Sequence, residues 1–188
     1  SYMGNASGNA ADCVSRGANC GLWVNANNCI EIKNTKLLQS QTGVYVTAGQ
    51  AAKSYLLENC DIYENTTGIG NGFFNRPVGE VRTSHIRNNK AGIINGGTIT
   101  MSENEVFDNN VGIENGDGAC IIQKGGVIRE NTKYDVEQKG EYQCSGKVSI
   151  SGNGIWLAKN RKLTLVGELT GDYAAIPLTL EEEKPVVG

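Results

Sequence analysis

Three successive stretches of this chain carry one pattern in identical register. An apolar residue is followed by a second at +5, Asn at +8, Gly at +11, Ile at +12, Asn at +14 and Gly at +15. The first copy runs Leu57, Ile62, Asn65, Gly68, Ile69, Asn71, Gly72 and the second Val81, Ile86, Asn89, Gly92, Ile93, Asn95, Gly96. The third is Met101, Val106, Asn109, Gly112, Ile113, Asn115, Gly116. Partial copies flank them, with Ile32, Leu37, Ser40, Gly43 and Val44 before and Ile128 and Asn131 after. A repeat of about 20–25 residues, with apolar positions too sparse for helices, predicts a solenoid of short strands.

Within each copy the apolar runs are short, rich in β-branched residues and bounded by Gly and Asn, as strands between turns are. Side chains alternate faces along a strand, so Ile69 and Asn71, Ile93 and Asn95, and Ile113 and Asn115 share one side. The Asn therefore faces inward or sits at a corner, and a buried amide needs its donors and acceptors met. Stacking Asn on Asn supplies the partners and predicts two ladders, Asn65/Asn89/Asn109/Asn131 and Asn71/Asn95/Asn115. The glycines are expected at corners that require positive φ.

Over residues 29–140 the repeat resembles the right-handed parallel β-helix superfamily, the pectate-lyase-like and tailspike-like coils with asparagine ladders; residues 141–170 fit it more loosely. The resemblance implies an all-β, right-handed, single-stranded parallel β-helix of about six coils. On that basis residues 1–28 read as an entry or capping segment, 29–170 as the helix and 171–188 as an extended tail. A leucine-rich horseshoe lacks support because its Leu-x-x-Leu-x-Leu run is missing, and a left-handed hexapeptide helix because no six-residue period occurs. Such coils specify a fold and not a function.

The formal charge of −3 argues against a nucleic-acid partner. No apolar run approaches the ~20 residues that span a bilayer. Starting at Ser1 without a signal-like segment, the chain reads as a processed mature protein or an excised domain. Six cysteines, an even number, suggest an oxidising compartment and so an extracellular or cell-surface setting. Cys120 and Cys144 are expected to bridge neighbouring rungs, Cys13 and Cys20 to close a small loop, and Cys29 and Cys60 to form the remaining pair; buried free thiols are the alternative. Neither the cysteines nor the single His suggests a metal site. Of two glycosylation triplets, Asn5-Ala6-Ser7 is the accessible one, since Asn65-Thr66-Thr67 belongs to a ladder.

The position before each +5 residue gives an outward row, Lys36, Asp61, His85, Glu105 and Val127, in which carboxylates flank a His; it reads more simply as a solvated sheet face. The position after gives Leu38, Tyr63, Arg87, Phe107 and Arg129. The exposed aromatic and Arg side chains Tyr63, Arg87, Phe107 and Arg129 are a candidate binding face. The segment Phe73–Glu80, where one coil is longer than the next, is expected to project as a loop, and Phe73 and Phe74 add to the binding candidates.

Enzymes of the resembled superfamily act mostly on acidic polysaccharides, but the Gly-His-Gly and Arg-x-Lys motifs of its polygalacturonase-like members are absent. Calcium enters only if the chain is lyase-like. Open strand edges at the ends of a β-helix template association, and Ile176, Leu178 and Leu180 alternate as one apolar strand face. The leading expectation is thus a secreted, non-enzymatic structural protein that assembles with copies of itself into a filament, appendage or surface layer. The alternative is a polysaccharide-binding or polysaccharide-cleaving protein, and a third is a trimeric phage tail or spike fragment.

Overall fold

The structure, a computed structural model, describes residues 2–4, 10–25, 29–47, 55–72, 75–170 and 176–181, with residues 2–4, 10 and 11 as backbone alone. The described residues contain no helix. They form a parallel β-solenoid of about seven turns. Each turn feeds one strand to each of three sheets. Sheet A has nine strands, from Tyr2–Gly4 to Leu178–Leu180. Sheet B has eight, from Ala10–Ala11 to Leu163–Leu169, and sheet C has seven, from Val14–Arg16 to Val148–Ile150. The stack exceeds the expected six coils because strands within residues 2–24, which lack the asparagine signature, already pair into the sheets.

The repeat builds the core row by row. Leu57, Val81 and Met101 stack in sheet B, Ile62, Ile86, Val106 and Ile128 in sheet C, and Ile69, Ile93 and Ile113 in sheet A. All are essentially buried. Burying each such side chain stabilises the fold by roughly 1.5–3 kcal/mol. Tyr55 fills space that Gly79 leaves on the next rung, where a Cβ would collide with its ring. The strand Val78–Arg82 begins inside the expected loop, so only residues up to Pro77 can leave the sheet there.

Both asparagine ladders form, and each has a direction. Ser40 N–H donates to Asn65 Oδ1 at 3.0 Å, and the backbone N–H groups of Asn65, Asn89 and Asn109 donate to the next Oδ1 in turn, at 2.9, 2.9 and 3.0 Å. The amide groups repeat the step side chain to side chain. An acceptor must end such a series, and Asp135 supplies it: its Oδ1 takes the Asn131 amide at 2.8 Å and its Oδ2 the Gly154 N–H at 2.7 Å. The second ladder runs from Asn71 through Asn95 and Asn115 to Gln138. Val46 and Leu157 lie in register beyond it, which leaves Asn71 Oδ1 and Gln138 Nε2 buried without partners. A third stack, missed in the sequence, joins Cys60, Ser84 and Asn104 at the corner between sheets B and C.

The corners correct the expectation for glycine. Positive φ is carried by Asn34, Asn59, Thr83 and Glu103 at one corner and by Gln39, Glu64, Asn88, Asp108 and Glu130 at the next. Gly68, Gly92 and Gly112 serve close approach instead. A Cβ on Gly92 would lie 2.5 Å from Gly112 O and 3.1 Å from Asn109 Nδ2.

None of the three expected disulfides forms: Cys20, Cys60, Cys120 and Cys144 are free thiols. The coil at Cys120 is shorter than the 24 residues between the two cysteines. Register therefore sets Cys120 beside Glu141 and Cys144 beside Gln123. Cys13 and Cys20 lie on either side of the strand Val14–Arg16. Cys29 precedes Ile30, which pairs with Tyr55, whereas Cys60 follows the far end of that strand. Cys60 and Cys144 are core residues, and burial pushes the Cys144 thiol up to about 12. Asn65, of the second glycosylation triplet, is buried; Asn5 lies outside the described residues, as do Phe73 and Phe74.

Candidate functional site

Sheet C brings the sequence-predicted face together in the expected register, Leu38, Tyr63, Arg87, Phe107 and Arg129. Its groups are largely occupied with one another. The Arg87 guanidinium covers the Tyr63 ring at 4.3 Å and forms a two-point ion pair with Asp61, with Nη2–Oδ2 2.8 Å. Arg129 covers the Phe107 ring at 4.7 Å and pairs with Glu105 at 3.5 Å and with Glu130. His85 meets the edge of Phe107, 6.5 Å between centroids. Leu38, though outward in register, is buried. Each ring thus has one face already taken by a guanidinium. The expected assembly residues separate: Ile176 packs against the core, whereas Leu178 and Leu180 are exposed.

The outer face of sheet A holds a different set, which the sequence reading did not single out. Its +13 position, between the inward Ile and Asn, must point outward. Across successive rungs it reads Trp23, Tyr45, Gly70, Ile94, Glu114, Glu137 and Trp156. Backbone hydrogen bonds place a second row beside it, Thr47, Gly72, Gly96, Gly116, Lys139 and Ala158. Three successive glycines lower the middle of that row into a shallow trough, in which Gly96 is buried. Asn75 and Arg76 bridge beside it, Asn75 Nδ2 donating to Thr47 O at 2.9 Å and Arg76 Nη1 to Gly118 O at 3.1 Å.

One end of the trough is aromatic. Trp23 and Tyr45 are 43 % and 41 % exposed. Trp23 Nε1–H donates to Thr47 Oγ1 at 2.7 Å, which fixes the indole. Tyr45 lies against Gly70, where a Cβ would stand 3.0 Å from the ring. At the other end a cleft of about 240 Å³ is lined by Ile94, Glu114, Asn115, Gly116, Glu137 and Lys139. Lys139 Nζ is 2.6 Å from Glu137 Oε1, and Trp156 packs beside Tyr134 with centroids 6.1 Å apart. The Glu137 hydrogen bond raises the Lys139 pKa.

Burial, and then the neighbouring Glu137, raises the Glu114 pKa above its ordinary 4.5. The sign of its stability effect follows. The folded state holds this proton more tightly than the unfolded chain, so stability present below 4.5 is lost as pH rises through the folded value. Glu114→Gln should therefore melt higher than the wild type at pH 7, with the gap closing below pH 4.5. Thermal melts from pH 3.5 to 8 check this; an equal gap at both ends would remove ionisation as its cause.

Comparison with protein families, with curated proteins and with solved structures finds no match for the chain.

Proposed function

We propose that the protein binds polysaccharide along the outer face of sheet A. One observation carries this reading: Trp23 and Tyr45 stay over two-fifths exposed yet are each held in place, by Thr47 and against Gly70. Leaving large rings in water forgoes a substantial part of the roughly 1.5–3 kcal/mol that burying such a side chain yields. Rigid, exposed rings suit the stacking of sugar faces, because little ordering remains to be done on binding. Carboxylates further along the trough accept sugar hydroxyls in charge-assisted hydrogen bonds. An extracellular setting goes with that ligand rather than with the cysteines, whose expected pairs are absent.

The test is retention in native gels cast with a panel of soluble polysaccharides. Trp23→Ala/Tyr45→Ala should lose retention by tenfold or more, about 1.4 kcal/mol. Tyr63→Ala/Phe107→Ala, on sheet C, should match the wild type. Equal retention of both double variants would overturn the assignment of the face. A second reading, self-association into a larger structure, is favoured by Leu178 and Leu180, which extend the inward rows of Ile155 and Leu157 yet are 52 % and 66 % exposed. Sedimentation as one monomeric species at every concentration would remove it.

A further inference from the structure

We propose that the chain modifies itself at Asn153-Gly154, where Asp135 is the base for succinimide closure and Asn153 is converted to Asp or isoaspartate. Asn-Gly occurs four times in the chain, at 71–72, 95–96, 115–116 and 153–154. In such a pair the following nitrogen can attack the side-chain amide, and glycine carries no Cβ to hinder ring closure. The fold treats the four pairs differently. Asn71, Asn95 and Asn115 are buried in the second ladder, where each amide is donated to the next residue of the series. The N–H groups of Gly72, Gly96 and Gly116 donate to the carbonyl oxygens of Val46, Asn71 and Asn95, which are too weakly basic to take a proton. Asn153 is exposed, and the nitrogen that follows it faces a carboxylate.

The Gly154 N–H donates to Asp135 Oδ2 at 2.7 Å. Asp135 is itself buried and held, its Oδ1 accepting the Asn131 amide at 2.8 Å and the Asn131 N–H at 3.3 Å. A fixed carboxylate within hydrogen-bond reach of the nitrogen that must lose its proton is the arrangement general base catalysis requires. The Asn153 amide turns the same way. Its Nδ2 donates to Asn131 O at 2.6 Å and to Thr132 O at 3.0 Å, in the turn that leads into the strand Tyr134–Gln138, which carries Asp135. Side chain and following nitrogen thus lie on one side of the chain. Gly152 and Gly154, with φ of +89 and +64, flank Asn153 and place no Cβ beside the closing ring.

In the reaction Gly154 N attacks Asn153 Cγ as its proton passes to Asp135 Oδ2. Asp135 gives that proton to Nδ2, the bond from Cγ to Nδ2 breaks and ammonia leaves. Water then opens the succinimide at either carbonyl, and no oxidant or reductant takes part. The carboxylate left at 153 has no proton to give Asn131 O or Thr132 O, so the turn beside the end of the first ladder loses two hydrogen bonds.

The experiment holds the full chain at neutral pH, folded or unfolded in guanidinium chloride, and follows Asp and isoaspartate at the four pairs by peptide mapping over time. Unfolded, the four should react at similar rates. Folded, Asn71, Asn95 and Asn115 should stay intact, while Asn153 reacts faster than in the unfolded chain by roughly tenfold or more, part of the 10²–10⁴-fold a positioned base supplies. Asp135→Asn should remove that excess. Reaction at folded Asn153 no faster than in the unfolded chain overturns the role of Asp135, as does an undiminished rate in folded Asp135→Asn. Because that variant could fail to fold, the comparison of folded with unfolded wild type decides on its own. Reaction at a ladder pair ahead of Asn153 overturns the site. Asn153→Asp, which stands for the modified chain, should lower the urea midpoint, and an unchanged midpoint overturns the loss of the turn's hydrogen bonds.

Discussion

Asn89→Leu should lower stability by about 3 kcal/mol or more, read as a fall in the urea midpoint with an unchanged slope. Asn89 Oδ1 accepts from both the backbone N–H and the amide of Asn65, at 2.9 and 3.1 Å, while its own amide reaches Ile62 O and Arg87 O at 3.1 and 2.9 Å. Leucine meets none of these. At least two buried donors then lose their acceptor, at about 1–3 kcal/mol each. A midpoint equal to the wild type would mean that the ladder contributes nothing to the fold.

Gly92→Ala should be comparably damaging, by about 3 kcal/mol, the upper part of the usual range for overpacking. The added methyl would meet backbone Gly112 O at 2.5 Å, with Asn109 Cγ at 3.2 Å beside it, and neither is the free end of a flexible side chain. Relief requires the rungs to part, which stretches the ladder above. Gly17→Ala is the informative comparison: its φ is +70, but nothing lies within 4 Å of a Cβ there. It should lose only the left-handed penalty of about 1–2 kcal/mol. Were Gly17→Ala the more harmful, positive φ rather than close approach would explain the glycines of the repeat.

Inward rows and ladders were legible because every rung solves the same problem with the same residues. Ile62, Ile86 and Val106 recur at one offset, as do Asn65, Asn89 and Asn109, and the strand register follows those offsets through coils of unequal length. Legibility failed where the repeat changes its solution. At Asp135 the chain places a carboxylate where Gly112 precedes it, so the ladder ends on a residue that no copy of the repeat announces. At the corners left-handed residues are as varied as Glu64, Asn88 and Asp108, because any residue tolerating αL with its side chain in solvent will serve. Spacing misled at Cys120 and Cys144 because it assumed a constant coil length.

The site was missed for a different reason. The outward positions beside +5 repeat visibly, as the alternation of Tyr63, Arg87, Phe107 and Arg129. The +13 position keeps its residue only between Glu114 and Glu137 and otherwise changes from rung to rung, from Trp23 and Tyr45 through Gly70 and Ile94, and so offers no pattern to detect. Its orientation alone could have marked it: a residue between two inward neighbours has only the outer face left to it.

Both tryptophans of the chain, Trp23 and Trp156, lie on the outer face of sheet A, one near each end of the trough. Intrinsic tryptophan emission therefore reports on the proposed surface and on no other. Titration with a soluble oligosaccharide of the polymer that retards the protein in the gel should shift and saturate that emission. A glycan that retards the protein while leaving tryptophan emission unchanged would place binding elsewhere and contradict the account.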